Sequence, residues 1–430
     1  MTRVRAGHAP PARSTPPGLR AVAAGAILAT LALVAAAWVL TPWEVLPEGA
    51  PAVRPDLSAA FTSAQVARAA AYRSAIGPWP YVSLLATVAA AWLFWRLSRR
   101  LPWRGPRPLV AAEAVVASSL VLLLVGLPAS WHSERVRRDF GLSTNTWSGW
   151  LRDQAVGWAI GTVVLALAVV AGVWAIERFP RRWPWLLAAA AAALTVVGSL
   201  AYPLVVEPAF NSFRPLAAGP FRSAVVALGE SDGLGRLEVL VSDASIRTTG
   251  ENAHVSGLGA THRVVLDDTT LARAQRDPSA VLSVVAHEFG HVVGHDVARG
   301  TAIGVLGAVA GILAGAWLLL RGAGGRPVVG ASRVGPARAA ALAVAVSVTL
   351  PYVAAPAANL ISRRVEARAD VHALELTGDA EAFVRMQQGL ATANLSRLEP
   401  TWWQTALFAT HPDPVWRIAL ARAWQEERQG

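Results

Sequence analysis

The sequence contains no cysteine and no lysine. Without cysteine there is no disulfide framework, no thiolate nucleophile and no cysteine-ligated metal, so any metal site must use histidine and carboxylate side chains. Without lysine, arginine carries all the positive side-chain charge, and 39 basic against 28 acidic residues give a formal net charge of +11. Charged residues make up only 16% of the 430 positions and hydrophobic residues 54%. This composition argues against a water-soluble globular protein.

The apolar residues are concentrated in runs long enough to cross a bilayer, which takes about 20 mostly apolar residues in a helix. Seven such runs are present, at residues 19–40, 80–95, 109–127, 155–176, 183–206, 301–320 and 337–360. Tryptophan stands near several of their ends, as in the interfacial belt of membrane proteins. The sequence therefore predicts a mainly α, polytopic membrane protein with about seven transmembrane helices. We expect lipid, not nucleic acid, to be the partner of the arginine excess.

The spans divide the chain into segments. The predicted organisation is a disordered basic arm (1–18), a membrane region of five helices (19–206), a first soluble segment (207–300), two further spans (301–360) and a second soluble segment (361–430). The small residues at 35–37 also fit a signal-peptide cleavage site, but the first apolar run is longer than a typical signal core, which favours an uncleaved anchor.

The first soluble segment has strand and helix signals. Residues 237–243 and 263–267 are short, β-branched runs bounded by turn residues, and 252–258 is a candidate third strand at the edge of a small sheet. Residues 278–299 carry apolar side chains at helical spacing and predict a largely buried helix.

This helix contains the motif HEFGH, with His287, Glu288 and His291. Two histidines four residues apart lie on one helix face, so both imidazoles can reach one tetrahedral Zn²⁺, and Glu288 is placed to accept a proton from the attacking water. An incidental pair of surface histidines is the competing interpretation. His295 follows one turn later and is interpreted either as a group that supports a ligand or as an ordinary capping or surface histidine.

A catalytic zinc normally has three protein ligands and one open position, so a third ligand is required. The best candidate is Glu366, at the start of a helix predicted directly after the seventh span. Asp370 follows four residues later on the same face, where its carboxylate can hold the other ring nitrogen of a zinc-bound histidine. An exposed network of helical Glu and Arg side chains is the alternative. Because the same sequence contains HExxH, the ligand interpretation is favoured.

Further motifs occur in a fixed order along the chain. They are RRDFGLSTNTWSGWLRD (137–153), VEPAFNSFRPL (206–216), ENAHVSGLGATHRVVLDDTTL (251–271), the HEFGH helix, SRRVEARAD (362–370) and HPDPVWRI (411–418). Together with the seven spans, they resemble the M48 family of membrane zinc metallopeptidases, and within it the Ste24-type CAAX prenyl proteases. The resemblance covers nearly the whole chain after the arm.

The resemblance implies membrane helices around a water-filled chamber, closed at one end by a zincin-like α+β catalytic domain with a small β-sheet. The two soluble segments then form one protease core. It implies one Zn²⁺ per chain, bound by His287, His291 and Glu366.

The remaining roles also follow from the resemblance. Glu288 would activate the water, and His411 would face the tetrahedral intermediate. Arg417 would support the site, paired with Asp370. A substrate peptide would lie extended along the strand formed by Asn252, Ala253, His254 and Val255.

The chain departs from the family pattern at two places. The usual HPP reads His411-Pro412-Asp413-Pro414, and His254 and Val255 replace the aromatic residues that often follow Asn-Ala. An Arg- and Ala-rich chain is typical of a bacterium, where prenylated CAAX substrates are not expected. The sequence thus predicts a zinc metalloendopeptidase of membrane-associated or unfolded protein segments, with CAAX processing as ancestry only.

Two other classes fit parts of the pattern. A site-2-type intramembrane protease also carries HExxH, but inside a span, whereas Asp277, Asp296 and Arg299 bracket this motif too closely for one. A membrane sensor or transporter with a relict zinc site is the other alternative, against which the complete set of ligands, general base and His411 argues.

Two arguments about sidedness disagree. Short loops on the side of the N-terminus hold 12 arginines and those on the opposite side 7, which by the positive-inside rule places the zinc domain outside the cell. The resemblance implies the reverse, and Arg214, Arg222, Arg299, Arg363, Arg364 and Arg368 flank spans on the catalytic side. A cytoplasmic zinc domain in a bacterial cell membrane is the favoured prediction. No sequence feature predicts the oligomeric state.

Overall fold

The structure is a computed structural model that describes residues 18–46, 52–235, 238–257, 263–321 and 335–429. The predicted basic arm lies outside these residues, except for Gly18. Every residue predicted to take part in catalysis or binding lies within them.

The first half of the described chain is helical, since an apolar segment in a bilayer must satisfy its backbone hydrogen bonds internally. Its helices are α1 (Leu19–Leu40), α2 (Leu57–Ala60), α3 (Ser63–Ile76), α4 (Trp79–Leu97), α5 (Arg107–Asp139), α6 (Trp147–Arg178), α7 (Trp183–Ala201) and, after a π-helical turn at Tyr202–Val206, α8 (Glu207–Phe210). The short helices α2 and α3 begin at Asp56 and Thr62, whose side chains accept backbone N–H groups of the first turn.

The second half alternates soluble elements with two long helices. They are β1 (Phe213–Pro215), α9 (Pro220–Ser231), β2 (Glu238–Ser242), β3 (Ala253–Ser256), β4 (Arg263–Asp267), α10 (Asp268–Ala274), α11 (Pro278–Val293), α12 (Asp296–Arg321), α13 (Pro336–Thr377), α14 (Ala380–Ala393), α15 (Trp402–Phe408) and α16 (Pro414–Gln429). Seven helices in the described ranges are long and apolar enough to cross a membrane, which confirms the predicted number.

These long helices pack as two groups. Helices α1, α7 and α12 form one group, in which Gly25 lets α1 approach Trp185 of α7 closely. Helices α4, α5, α6 and α13 form the other, around a buried cluster that includes Val115 and Val344. Many large apolar side chains outside these clusters are exposed on α1, α6 and α7, as expected for surfaces that face lipid.

The seventh span differs from its prediction. Instead of a span that ends at residue 360 and a separate helix that carries Glu366, α13 is a single helix of 42 residues. Pro351 and Pro356 lie inside it without ending it. The change from apolar to charged sequence near residue 361 therefore marks where the helix leaves the apolar region, and not a break in the backbone.

The sheet has four strands in the order β1-β2-β4-β3. The pairs β1–β2 and β3–β4 are antiparallel, and β2–β4 is parallel. The two strands predicted with most support and the edge strand are present, whereas β1 was not predicted because three residues carry too short a pattern. β3 lies at the edge, and no described strand pairs with its outer side.

The soluble elements form a core that packs around helix α11 and the C-terminal part of α13. Helix α11 is buried between the sheet and α13, with α14 packed beside it. The core is joined to the membrane region by an isolated β-bridge between Ser143 and Thr248 and by the ion pair of Arg247 with Asp153 at 2.8 Å. A polar cavity of about 520 Å³ lies at this junction, lined by residues of α4, α5 and α6. Several residues of the motif at 137–153 line this cavity.

Candidate active site

Helix α11 positions the HExxH residues. It begins with Pro278, and Asp277 caps it by accepting the N–H of Ala280 at 3.2 Å. Its apolar side chains pack into the core on several sides, so His287 and Glu288 are themselves only 7% and 6% exposed. A pair of surface histidines is thereby excluded.

Three side chains converge beside α11. The Nε2 atoms of His287 and His291 are 3.2 Å apart. From α13, Glu366 places Oε2 3.2 Å from Nε2 of His287 and Oε1 3.7 Å from Nε2 of His291. Among the described residues, these three form the group whose ligand atoms all lie within 4.8 Å of one another.

The donor set fits a divalent metal. Two imidazole nitrogens and one carboxylate form the ligand set of many catalytic zinc sites. Oε2 of Glu366 is buried, and no hydrogen bond with a described residue satisfies it. A buried carboxylate oxygen without a donor is costly, and a cation at this point removes the cost.

Each histidine has its other ring nitrogen on a carboxylate. Nδ1 of His287 lies 2.9 Å from Asp370, a fully buried residue whose other partner is Arg417 at 2.8 Å. Nδ1 of His291 lies 2.8 Å from Asp296. Both contacts leave Nε2 free for a metal and fix the orientation of the rings.

The carboxylates create a strongly negative environment. Burial alone lowers the pKa of His287, but its close contacts with the carboxylates of Asp370 and Glu366 outweigh burial and raise this pKa to about 10. The same environment favours a bound dication.

His295 does not support the centre. It lies in the exposed turn after α11 with a φ of 51°, a left-handed conformation that reverses the chain into α12. Because of this reversal, the next residue, Asp296, points back to His291. The prediction of His295 as a supporting group is corrected to Asp296, which also accepts a hydrogen bond from Arg368. An acidic residue just past the end of a HExxH helix was the signal available in the sequence.

His411 reaches the centre from the segment between α15 and α16. Its Nε2 lies 3.2 Å from Oε2 of Glu366, and its ring is 57% exposed to the cleft. Helix α13 holds this segment in place, since Arg363 donates hydrogen bonds to the carbonyls of Thr405 and Ala409, each at 2.8 Å.

A cleft of about 630 Å³ runs past the centre. Glu288 and His411 line it together with Asn252 and Ala253 from the beginning of β3. Of the four residues predicted to bind substrate, these two therefore lie at the cleft.

The other two, His254 and Val255, do not line the cleft. His254 lies 3.4 Å from Glu207, which also pairs with Arg263 at 2.8 Å. Burial lowers the pKa of His254, but the hydrogen bond to Glu207 raises this pKa by more than burial lowers it, so the net shift is upward. Val255 packs into the core around the sheet.

Comparison with known proteins shows which families the chain is similar to. The model of peptidase family M48 matches residues 231–425, and that of the CAAX prenyl protease N-terminal region, five membrane helices, matches residues 79–212. An uncharacterized metalloprotease of Bacillus subtilis (strain 168), YhfN, is 32% identical over 312 residues, which are 71% of this chain and 72% of that protein.

The eukaryotic relatives align over shorter stretches. CAAX prenyl protease 1 of Saccharomyces cerevisiae is 29% identical over 191 residues, 41% of each chain. The crystal structure of S. mikatae Ste24p superposes with a TM-score of 0.70, covering 95% of this chain and 100% of that one at 20% sequence identity. The latter shows a shared fold.

Fold and site together define a membrane-embedded metalloprotease. The chain belongs to peptidase family M48, with relatives among the Ste24-type proteases. The predicted resemblance, fold class and general function are confirmed.

Proposed function

We propose that the protein is a zinc metalloendopeptidase that hydrolyses peptide bonds in membrane-associated or unfolded protein segments. The convergence of His287, His291 and Glu366 carries the proposal, since this donor set suits one zinc per chain with a position left open for substrate. The domain organisation is part of the same proposal: two spans separate the two soluble segments in the sequence, and these segments together form one protease core.

Zinc held by His287, His291 and Glu366 would polarise the scissile carbonyl and make a water molecule more acidic. Glu288, beside the first ligand and open to the cleft, takes the proton of the attacking water and passes it to the leaving amine. His411 donates a hydrogen bond to the oxyanion of the transition state. Asp370 and Arg417 keep the ring of His287 in the orientation that the reaction requires.

The substrate binds as an added strand beside β3. Its backbone pairs with Asn252 and Ala253, the two residues of the predicted substrate strand that line the cleft. His254 acts through its contact with Glu207, and Val255 packs into the core around the sheet. Recognition through the backbone suits an endopeptidase that selects extended segments more than individual side chains.

CAAX processing is proposed as the ancestry of this chain, not its activity. The departures from the family pattern at His254, Val255 and Asp413 support this, because these residues lie in the proposed substrate strand or close to His411. We also place the protein in a bacterial cell membrane with the catalytic core at the cytoplasmic face, by its family relationship and by the arginines, such as Arg363 and Arg364, that flank spans on that side.

Metal analysis with a casein or peptide cleavage assay on detergent-purified protein tests the proposal. We expect about one zinc per chain, lost in His291→Ala and Glu366→Ala, whereas Glu288→Gln keeps zinc and loses proteolysis. Glu375→Ala, at an exposed glutamate on the same helix as Glu366, is the control that keeps both.

Two outcomes would contradict parts of the proposal. If Glu366→Ala keeps both zinc and cleavage, the third ligand is wrong and Asp370 becomes the next candidate. A full complement of zinc without cleavage of any peptide would favour a sensor or transporter with a relict site.

A further inference from the structure

The active-site cleft contains two arginines that the proposed reaction does not use. Arg73, at the end of α3, and Arg397, after α14, both line the cleft that contains Glu288 and His411. They belong to distant parts of the chain, one before the second span and one in the C-terminal part of the core.

Neither guanidinium has a carboxylate partner among the residues that the structure describes. Arg73 donates one hydrogen bond to the carbonyl of Leu395 at 2.9 Å, and its Nε is buried without an acceptor. Arg397 makes no hydrogen bond or ion pair within the described ranges. A buried donor without an acceptor is costly, so an anion that enters the cleft here is stabilised.

The acidic residues along the cleft are already engaged elsewhere. Glu251 pairs with Arg273 at 3.1 Å and is largely buried. Asp413 accepts the N–H of Trp416 at 2.9 Å at the start of α16, and burial raises the pKa of Asp413. Glu288 is the general base of the proposed reaction. The positive charge at this end of the cleft is therefore left for a ligand.

The position of the arginines relative to β3 indicates which part of a substrate they meet. Asn394 joins the turn after α14 to the start of β3, with its Oδ1 3.0 Å from the N of Glu251 and its Nδ2 2.9 Å from the O of Glu251. Leu395 follows Asn394 directly, and Arg397 lies two residues after Leu395. The arginines thus lie at the Glu251 end of β3 and not at the Ser256 end.

β3 already pairs antiparallel with β4, and an antiparallel strand on its other side would run from Ser256 toward Glu251. The carboxyl-terminal part of such a substrate points toward Arg73 and Arg397. We propose that these two arginines bind a carboxylate of the substrate on the carboxyl side of the scissile bond. This inference rests on the proposed peptidase function, because it concerns the substrate of the same cleft.

Two sources offer this carboxylate: the free C-terminus of a peptide cleaved near its end, or an acidic side chain within a longer segment. Both bring the same planar group, which a guanidinium binds through two hydrogen bonds. The cleft therefore discriminates between anionic and neutral substrates at this position.

Peptide binding to the zinc-loaded Glu288→Gln protein tests the inference without turnover. Three fluorescent peptides of one sequence are compared: one with a free C-terminus, one with a C-terminal amide, and one amidated peptide with glutamate as its last residue. The position of the carboxylate is varied over a short series. We expect the better of the two acidic peptides to bind about 10- to 100-fold more tightly than the neutral one.

Arg397→Gln and Arg73→Gln in the same background should reduce this ratio toward one. Arg276→Gln, at an exposed arginine outside the cleft, is the matched control and should keep it. Since Arg73 also holds Leu395, Arg397→Gln is the decisive variant. Equal affinity for acidic and neutral peptides, no binding of either, or a ratio unchanged by Arg397→Gln overturns the inference.

The proposed function fails on a different result. If the wild-type protein cleaves no peptide but the charge-dependent binding is present, the peptidase assignment is wrong and the carboxylate site remains. If cleavage occurs at equal rates and binding is independent of charge, only the carboxylate site is wrong.

Discussion

Replacing Asp296 with asparagine tests whether the carboxylate behind His291 sets the affinity of the centre for metal. Oδ2 of Asp296 lies 2.8 Å from Nδ1 of His291 and also accepts from Nη2 of Arg368. Arg368 donates to the carbonyl of Gly290 as well, at 3.2 Å. Asparagine keeps the size of the side chain but removes the charge, so both donors lose their charged acceptor.

The expected cost follows from these contacts. The contact between Asp296 and His291 is a charge-assisted hydrogen bond, and the aspartate side chain is only 12% exposed, so water replaces it poorly. Loss of a carboxylate that holds a metal-ligating histidine typically reduces metal affinity by 10- to 100-fold, or about 1.4 to 2.7 kcal/mol. We expect Asp296→Asn to bind zinc more weakly by a factor within this range, and Asp296→Ala to show a loss of affinity near its upper limit.

Competition with a chromophoric chelator on detergent-purified protein measures the zinc affinity. Thermal unfolding of the metal-free variants reports any loss of fold separately. Asp277→Asn is the matched control, since Asp277 also contacts an arginine and caps α11, but at the end remote from the metal, and asparagine caps a helix equally well. An Asp296→Asn protein with wild-type zinc affinity and an Asp277→Asn protein with reduced affinity would refute the reasoning.

The remaining predictions concern the reaction and the topology. His411→Ala should lower turnover by about 10² or more with little change in zinc content, because a donor to the oxyanion acts in the transition state. Arg417→Ala should instead weaken folding or metal retention, since it removes the arginine that balances the charge of the buried Asp370. Equal loss of zinc in both variants would overturn this division of roles. A reporter fused after Gly430 should be fluorescent as green fluorescent protein and inactive as alkaline phosphatase if the catalytic core is cytoplasmic, and the opposite pattern would support the arginine count.

Elements encoded by local pattern were predictable from the sequence. The seven long helices follow from apolar runs, and the pair His287 and His291 follows from the four-residue spacing on one helix face. The edge strand, observed at Ala253–Ser256, follows from alternation between turn residues. Each of these depends on residues close together in the chain, which is why their periodicity is visible without a structure.

Features that depend on contacts between distant residues were missed or placed wrongly. His295 was interpreted as either a supporting group or a surface histidine on a helix predicted to continue to residue 299, whereas α11 ends at Val293. Gly294, directly after Val293, is the local signal for the end of this helix, and the left-handed φ of His295 then redirects the chain. The pairing of Arg73 with the turn after α14 joins positions more than 300 residues apart and could not be anticipated from either segment.

The glycine of HEFGH explains how a span can supply the third ligand. A Cβ atom at Gly290 would lie 3.1 Å from Cα of Ala369, so any larger residue would require α11 and α13 to move apart by a few tenths of an ångström. This close contact brings Glu366 and Asp370, one turn apart on α13, to the two sides of His287. Since α13 is unbroken from Pro336 to Thr377 and also holds the His411 segment through Arg363, a tilt of this helix in the membrane would displace the proposed ligand Glu366 and His411 together, along with Asp370, which orients His287.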